Sequence, residues 1–177
     1  MLDEHDDPFP DLVRIHMAEA IAKYNLMVQQ DGPWTHLTKS GVCKLSFYKE
    51  IGYIAFTFGP AGSYPATFYP GIYMDIVYGR GTVKFPNNSE PNPNWKIDTL
   101  KFYNDLVVNY FEPPMNGDFS FAEKHDTLQR EISKLNDYIH LDKPNKAIQE
   151  KKRIGDPSWE EDARAWYKEQ TGNELSI

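Results

Sequence analysis

A change in the spacing of apolar residues constrains the fold of this chain more than any other feature of the sequence. Two short segments place apolar side chains at every second position: Cys43, Leu45 and Phe47, then Ile54, Phe56 and Phe58. Because successive side chains of a strand point to opposite faces of a sheet, each segment is predicted to be a half-buried strand. The connection from Lys49 to Gly52 has hairpin length, so the two strands should be antiparallel neighbours.

Flanking segments extend this hairpin into a larger sheet. Strands are predicted from Trp34 to Thr38 and from Ile72 to Tyr78, with Thr82 to Phe85 as a further candidate. Before them, an amphipathic helix begins at Pro10 and ends ahead of the turn at Asp31-Gly32-Pro33, since its apolar residues share one face at the helical period. The sequence therefore predicts an antiparallel meander of four to five strands that follows an N-terminal helix.

After a loop from Pro86 to Trp95, most of the remaining chain is predicted to be helical. Ser120 and Glu123 have the spacing of a capping box for one helix, and Asp156-Pro157 starts another. The capped helix carries an apolar seam with heptad spacing: Phe121, His125, Leu128, Ile132, Leu135 and Ile139. The last helix places Trp159 and Trp166 on one face, and these rings bury a large area only if they dock on the domain or on a partner.

These elements predict one α+β domain over residues 1–177, with the meander packed against the N-terminal helix and C-terminal helices. Residues 1–9 are expected to be an acidic leader and residues 142–177 a helical C-terminal extension. The single cysteine, Cys43, fits a reducing compartment, and the first residues lack the pattern of a signal peptide, so a cytoplasmic location is expected. Glycine and proline interrupt the uncharged stretch from Ile51 to Met74, so no membrane span is expected.

The net charge of −7 limits the partners of the chain. A negative surface repels a nucleic-acid backbone and attracts a basic protein surface, so direct nucleic-acid binding is not expected. The acidic cluster Asp3-Glu4-His5-Asp6-Asp7 contains metal-ligand residue types, but no second ligand group with metal-site spacing follows it. The alternation points Cys43 into the core, where a thiol is unreactive. We therefore expect neither a metal site nor a cofactor.

Two H-x-T tripeptides, His36-Leu-Thr38 and His125-Asp-Thr127, carry an enzymatic pattern. They resemble the paired motifs of the 2H phosphoesterases. That resemblance implies that His36 and His125 act as acid and base on a phosphodiester while the hydroxyls of Thr38 and Thr127 hold its oxygens. The family carries both motifs on strands, whereas the second lies here on the seam of a predicted helix. A neutral, hydrogen-bonded core histidine is the structural alternative at that position.

The loop from Gly59 to Gly71 is uncharged and contains Tyr64, Phe68 and Tyr69. Aromatic side chains that lose little entropy on binding are favoured at recognition surfaces. These three residues are therefore the predicted partner-binding residues. The alternative is that the loop covers an exposed edge of the sheet.

The order of the N-terminal segments resembles small bacterial immunity proteins of polymorphic toxin systems over roughly residues 9 to 111. The resemblance is carried by a helix followed by Lys-Ser-Gly-Val-Cys-Lys-Leu-Ser-Phe-Tyr-Lys-Glu-Ile-Gly-Tyr-Ile-Ala-Phe-Thr-Phe-Gly-Pro-Ala-Gly, residues 39–62, and then by another strand and helices. It implies a cytoplasmic protein that blocks a toxin by occlusion. An inhibitor of a host enzyme carried by a phage would share these features.

The expected function is therefore a protein-binding inhibitor or immunity-type protein that neutralises a basic partner, such as a toxin or an enzyme. Phosphodiester hydrolysis through the two H-x-T motifs is the alternative, and it requires the four side chains to converge in one cleft.

Overall fold

The computed structural model describes residues 8–62, 68–86 and 92–175. In these ranges two helices precede a sheet and further helices follow it. The helices are α1 Phe9–His16, α2 Ala18–Tyr24, α3 Pro70–Val77, α4 Trp95–Tyr110, α5 Glu112–Met115, α6 Ala122–Asp137, α7 Lys146–Arg153 and α8 Trp159–Thr171, and a π-helical turn Tyr138–Asp142 continues α6. None of the helices in these ranges combines the length and the apolar composition of a membrane span.

Within the described residues the sheet is an antiparallel meander of four strands in the order β1-β2-β3-β4. The strands are β1 Met27–Asp31, β2 Trp34–Lys39, β3 Cys43–Lys49 and β4 Ile54–Pro60. The predicted α+β class and the central β3–β4 hairpin are confirmed. Gly41 and Gly52 lie in the β2–β3 and β3–β4 turns at φ angles of 68° and 85°. Both angles fall in the left-handed region, which glycine adopts without steric cost.

The N-terminal helical segment is shorter than the sequence predicts. Helix α2 ends at Tyr24, and Asn25 adopts the left-handed conformation at φ 53°, which asparagine tolerates better than most residues. The chain then forms β1, an edge strand in a segment that was predicted to be helical. Four of the five residues of β1 are exposed. Because β1 buries no apolar row, its pairing with β2 rather than its own pattern determines its conformation.

The segment from Ile72 to Tyr78, predicted to be a strand, forms helix α3 instead. Pro70 lies in the first turn of α3, where a missing amide hydrogen costs no intrahelical bond. Tyr73 and Met74 are buried in the core. Periodicity alone does not distinguish a strand from a buried helix in so short an apolar run. Thr82 to Phe85, the further strand candidate, forms bends and irregular structure.

One face of the sheet packs against helices and forms the main core; we call it the inner face. Leu37, Leu45, Phe47 and Phe58 of this face have no exposed surface. The ring of Phe58 lies 4.7–6.5 Å, between centroids, from the rings of Phe56, Phe68, Tyr73, Phe111 and Phe121. Such aromatic clusters combine large apolar burial with favourable edge-to-face contacts. The inner face is thus the main support of the sheet.

Helix α6 buries most of its predicted seam, although its first turn differs from the prediction. His125, Leu128 and Leu135 are buried as expected. The described start of α6 has no side-chain cap, and the amide of Ser120 instead donates to Oδ1 of Asp118 at 2.9 Å. At the other end, the π-helical turn widens the helix by one residue per turn. The predicted capping box is therefore wrong, whereas the predicted burial of the seam is confirmed at these three positions.

A second, smaller core forms where α6 continues into the C-terminal helices. Its buried members are Leu135, Tyr138, Ile139, Ile148, Ala163 and Tyr167. Trp159 and Trp166 pack against this cluster, so both rings of the tryptophan helix dock on the chain itself. The cluster begins within α6, before residue 142, where the C-terminal extension was predicted to start.

A chain of ion pairs joins the C-terminal helices to the rest of the molecule. Arg164 of α8 lies 3.2 Å from a carboxylate oxygen of Glu131 and 2.8 Å from one of Glu160. Arg80, which follows α3, donates to the same Glu160 oxygen at 2.9 Å. These pairs are partly shielded from solvent, since the two carboxylates are about nine-tenths buried, and such shielded pairs are less screened than surface pairs. The two cores are therefore linked by charge as well as by α6.

Candidate functional site

The face of the sheet opposite the inner face carries the candidate site; we call it the outer face. The strand register places its side chains in three rows across the strands. The rows are Met27-Thr38-Lys44-Gly59, Gln29-His36-Ser46-Thr57 and Asp31-Trp34-Tyr48-Ala55. Directly opposed residues of antiparallel strands have Cβ atoms about 4.5–5.5 Å apart, so members of a row are close enough to act on one ligand.

The middle row is polar on all four strands; we call it the polar row. Nδ1 of His36 and the hydroxyl of Ser46 share a hydrogen bond of 2.9 Å. Burial lowers the pKa of His36 below its ordinary value, the Lys44 ammonium lowers it further, and the Asp31 carboxylate acts in the opposite direction. The imidazole of His36 is therefore neutral at pH 7 and can both accept and donate hydrogen bonds.

Two outer-face hydroxyls have no hydrogen-bond partner among the described residues. Oγ1 of Thr38 and Oγ1 of Thr57 are buried without a partner in the described part of the chain. A buried polar atom without a partner costs free energy, so such atoms are uncommon in native structures. Thr38 lies beside Lys44 and Thr57 beside Ser46. The outer face therefore holds unused hydrogen-bonding capacity on both sides of β3.

Aromatic rings and carboxylates lie together at one end of the outer face. The Trp34 and Tyr48 rings are 5.1 Å apart between centroids, and Asp31 is the register partner of Trp34. Beyond Tyr48, the amide of Glu50 donates to the carbonyl of Tyr53 at 2.9 Å. The Tyr53 hydroxyl donates a hydrogen bond to the Glu50 carboxylate, which raises the pKa of Tyr53. We call Asp31, Trp34, Tyr48, Glu50 and Tyr53 the acidic-aromatic end.

The Ser46-His36 pair has the chemical form of an activated nucleophile, because a neutral imidazole can take the proton of a hydrogen-bonded hydroxyl. Ser46, however, is only 2% exposed and His36 6% exposed. A substrate carbonyl must reach within about 3.5 Å of the attacking oxygen. Neighbouring side chains on the sheet leave too little room for that approach. The arrangement favours binding over nucleophilic catalysis.

The two H-x-T motifs do not converge. His36 alternates with Leu37, which points to the inner face, so His36 lies on the outer face. The ring of His125 packs against Phe68 at 4.9 Å, and Phe68 packs against Phe58 of the inner face. The sheet therefore lies between the two imidazoles. A shared scissile phosphate is incompatible with this arrangement, since acid and base must both reach it.

His125 has the environment of a structural histidine. It has no exposed surface, and its Nε2 accepts a hydrogen bond from the amide of Tyr69 at 2.9 Å. Burial lowers the pKa of His125, against the opposing effect of Asp126. The hydroxyl of Thr127 donates to the carbonyl of Glu123 one turn earlier at 2.9 Å. His125 and Thr127 are thus engaged within the fold.

The predicted partner-binding residues of the Gly59–Gly71 loop lie in different environments. Tyr64 lies outside the described residues. Phe68 is 6% exposed, and it exchanges two backbone hydrogen bonds with Phe58 of β4. Phe68 is therefore a core residue that covers the edge of the sheet, which was the alternative interpretation of the loop. Tyr69 is 46% exposed and stacks on His125, so it remains a predicted contact residue.

The remaining candidates for chemistry are a thiol and a metal cluster. Cys43 is fully buried, and burial raises the pKa of its thiol to about 12. The described ranges contain no group of three or more histidine, cysteine or acidic side chains that could hold a metal ion. The acidic cluster Asp3-Glu4-His5-Asp6-Asp7 lies outside those ranges. Cys43 is therefore unreactive in the folded state, as its alternation predicted.

Comparisons with protein-family models, with curated proteins and with solved structures found no match.

The importance of Trp34 and Tyr48 was missed at the sequence level, although a signal was present. The alternation that assigns Leu45 and Phe47 to the core also assigns Ser46 and Tyr48 to the opposite face. What the sequence does not contain is the register, which aligns Tyr48 with Trp34 and Trp34 with Asp31. Only the paired strands show that these residues form one surface.

Proposed function

We propose that this chain is a protein-binding inhibitor, of the kind represented by bacterial immunity proteins, which neutralises a basic protein partner by covering its active site. The observation that carries the proposal is the outer face, where aromatic and polar side chains of all four strands form one surface. Binding energy at protein interfaces is concentrated in a few aromatic residues surrounded by polar contacts. Trp34 and Tyr48 beside the polar row have this composition.

The support behind the outer face favours tight binding. Every strand is hydrogen-bonded to its neighbours, and the inner-face residues Leu37, Leu45 and Phe47 have no exposed surface. Rings held on such a support lose little conformational entropy when a partner binds. A surface prepared in this way suits an inhibitor, which gains from slow dissociation.

The charge of the chain favours a basic partner. A net charge of −7 accelerates encounter with a positively charged protein and disfavours acidic partners. Toxins and enzymes that act on nucleic acids carry basic surfaces for the same electrostatic reason. The proposal includes a cytoplasmic site of action, where the single thiol of Cys43 remains reduced.

The proposal is tested by capturing a partner and assaying it. The tagged protein is used to capture proteins from lysate of its source cells and of competing cells, and a captured basic enzyme is purified and assayed alone and with an equimolar amount of this chain. The expected result is a stoichiometric complex with little residual activity, and a complex that retains full activity would contradict occlusion.

Three variants locate the interface. Trp34→Ala combined with Tyr48→Ala should abolish capture and inhibition, because it removes both rings of the outer face. Tyr69→Ala tests the contribution of the loop residue that remains exposed. Leu141→Ala, at a side chain that is 74% exposed in the C-terminal part, is the control and should retain full inhibition. Each variant is first shown by thermal melting to be folded.

A further inference from the structure

The acidic-aromatic end has the chemistry of a site for one particular side chain. Asp31, Trp34 and Tyr48 occupy one row of the sheet, and Glu50 follows Tyr48 at the next outward position of the same strand direction. The two rings therefore have one carboxylate in their own row and a second one just past the end of β3. Asp31 and Glu50 are both exposed, so each can still form an ion pair with a bound group.

We propose that the acidic-aromatic end receives an arginine side chain of the basic partner, with the guanidinium over the rings of Trp34 and Tyr48 and its N–H groups directed to Asp31 and Glu50. This inference rests on the proposed function, since it names the part of the partner that the outer face recognises.

The geometry of the rings suits a flat cation. The Trp34 and Tyr48 planes differ by 32° and their centroids are 5.1 Å apart, so the two rings are in contact and form one aromatic patch. A cation within about 6 Å of a ring centroid is attracted by the negative face of the ring, most strongly for tryptophan. Arginine stacks on such a patch and pairs with carboxylates through two parallel hydrogen bonds, whereas a lysine ammonium does neither.

Several of the chain's own lysines have contacts away from the Trp34 and Tyr48 rings. Among the described residues, cation-π contacts are made by Lys23, Lys134 and Lys152 on Tyr24, Tyr167 and Trp159, none of which belongs to the outer face. Lys49 pairs with Ile54 in the register and so projects toward the inner side of the sheet end. Lys44 lies in the row beyond the polar row.

The polar row next to the rings contributes His36, whose charge affects how a cation binds. His36 stacks on Trp34 with a centroid distance of 6.3 Å and an interplanar angle of 5°. It is neutral at pH 7 because burial lowers its pKa, so it adds no positive charge to repel a guanidinium. A protonated imidazole in this position would weaken the site. Because the pKa of His36 is lowered from 6.5, binding should decrease only as the pH falls below 6.5.

The experiment uses the full chain labelled with ¹⁵N and the peptide Gly-Arg-Gly as the probe. Titrations are followed by NMR at the indole N–H of Trp34, with Gly-Lys-Gly and Gly-citrulline-Gly as matched probes, since citrulline keeps the shape of arginine without its charge. We expect saturable shifts of the Trp34 indole with the arginine peptide, affinity lower by about fivefold with lysine, and no saturation with citrulline.

Two variants separate charge from stacking. Asp31→Asn combined with Glu50→Gln keeps the shape of both exposed side chains, and it should weaken the arginine peptide by about tenfold. Tyr48→Ala keeps both carboxylates but removes one ring, and it should also weaken the arginine peptide. Asp118→Asn, a substitution of a carboxylate outside the sheet, is the control and should leave the titration unchanged. The amide spectrum of each variant shows whether it is folded.

The outcomes distinguish this inference from the proposed function. Three results would overturn the arginine site. They are equal shifts with the arginine and citrulline peptides, shifts with adenosine monophosphate instead, and no shifts up to about 50-fold the concentration of the protein, roughly the range needed for weak sites. If the combined Trp34→Ala and Tyr48→Ala variant still failed to bind a captured partner, the proposed function would stand without the arginine site. Arginine binding with no inhibited partner would uphold the site and overturn the proposed function.

Discussion

Strand β3 shows how differently the two faces of the sheet are used. Cys43, Leu45 and Phe47 have no exposed surface, whereas Lys44 and Tyr48 keep part of theirs. The inner-face residues contact helices, while the ring contacts of Tyr48 and the hydrogen bond of Ser46 are to other outer-face residues. The strand thus contributes to stability through one face and to recognition through the other. Whether a residue of β3 has an odd or an even number determines the face on which it lies.

The largest difference expected between the faces is in stability. Phe58→Ala should lower the free energy of unfolding by about 3–5 kcal/mol, because it removes a fully buried ring that touches five other rings and leaves a cavity. Thr57→Ala, one residue earlier on the outer face, should cost less than about 1 kcal/mol. Urea denaturation measures both. Equal losses would mean that the outer face is also a packed core.

The pH dependence of stability compares the buried histidine of the outer face, His36, with that of the inner side, His125. His36 and His125 both have pKa values below the ordinary 6.5 because burial disfavours their charged forms. The unfolded chain therefore binds more protons than the folded chain between those lowered values and 6.5. Stability should be fully present above pH 6.5 and decrease as the pH falls below it.

Thermal melts between pH 7.5 and pH 5 measure that dependence. His125→Phe and His36→Phe should each flatten the decrease, because each removes one group that takes up a proton on unfolding. A decrease that is unchanged in both variants would show that other groups cause it. If only His125→Phe reduced the loss of stability at low pH, then only the histidine on the inner side would have a pKa lowered by burial.

The smallest effect concerns the hydroxyls of the outer face. Thr38→Val keeps the shape of the side chain and removes a buried hydroxyl that lacks a partner in the described structure. It should leave stability unchanged or raise it by up to about 1 kcal/mol. Ser46→Ala is the matched comparison. It should cost about 1 kcal/mol, because the Ser46 hydroxyl is bonded to His36, and chemical denaturation distinguishes the two signs.

The sequence predicted the centre of the fold better than its margins. The alternation around Phe47 and Phe56 identified β3, β4 and their hairpin, since half-buried strands carry that pattern. Strand β1 was missed because an exposed edge strand buries no apolar row. The segment of helix α3 was wrongly predicted to be a strand, because periodicity does not distinguish a strand from a buried helix in so short an apolar run. These errors lie where tertiary pairing and packing override local pattern.

The candidate site was predictable only in part. His36 and Thr38 were placed on a strand, and His125 on a helical seam, as the structure shows. That the sheet separates them depends on packing that no spacing encodes. Phe68 was expected at the surface because its loop is uncharged, yet its pairing with Phe58 buries it. Trp34 and Tyr48 are neighbours only through the register, which a single sequence does not specify.

The most direct test of the outer face as the binding surface is the dissociation constant of the captured partner for four proteins. These are the parent, Trp34→Ala with Tyr48→Ala, Tyr69→Ala and Leu141→Ala. We predict at least about a 30-fold loss of affinity for the outer-face double variant and no change for Leu141→Ala. Parent-like affinity of the folded double variant, with a large loss for Tyr69→Ala, would contradict the outer-face interpretation and locate the interface at the loop.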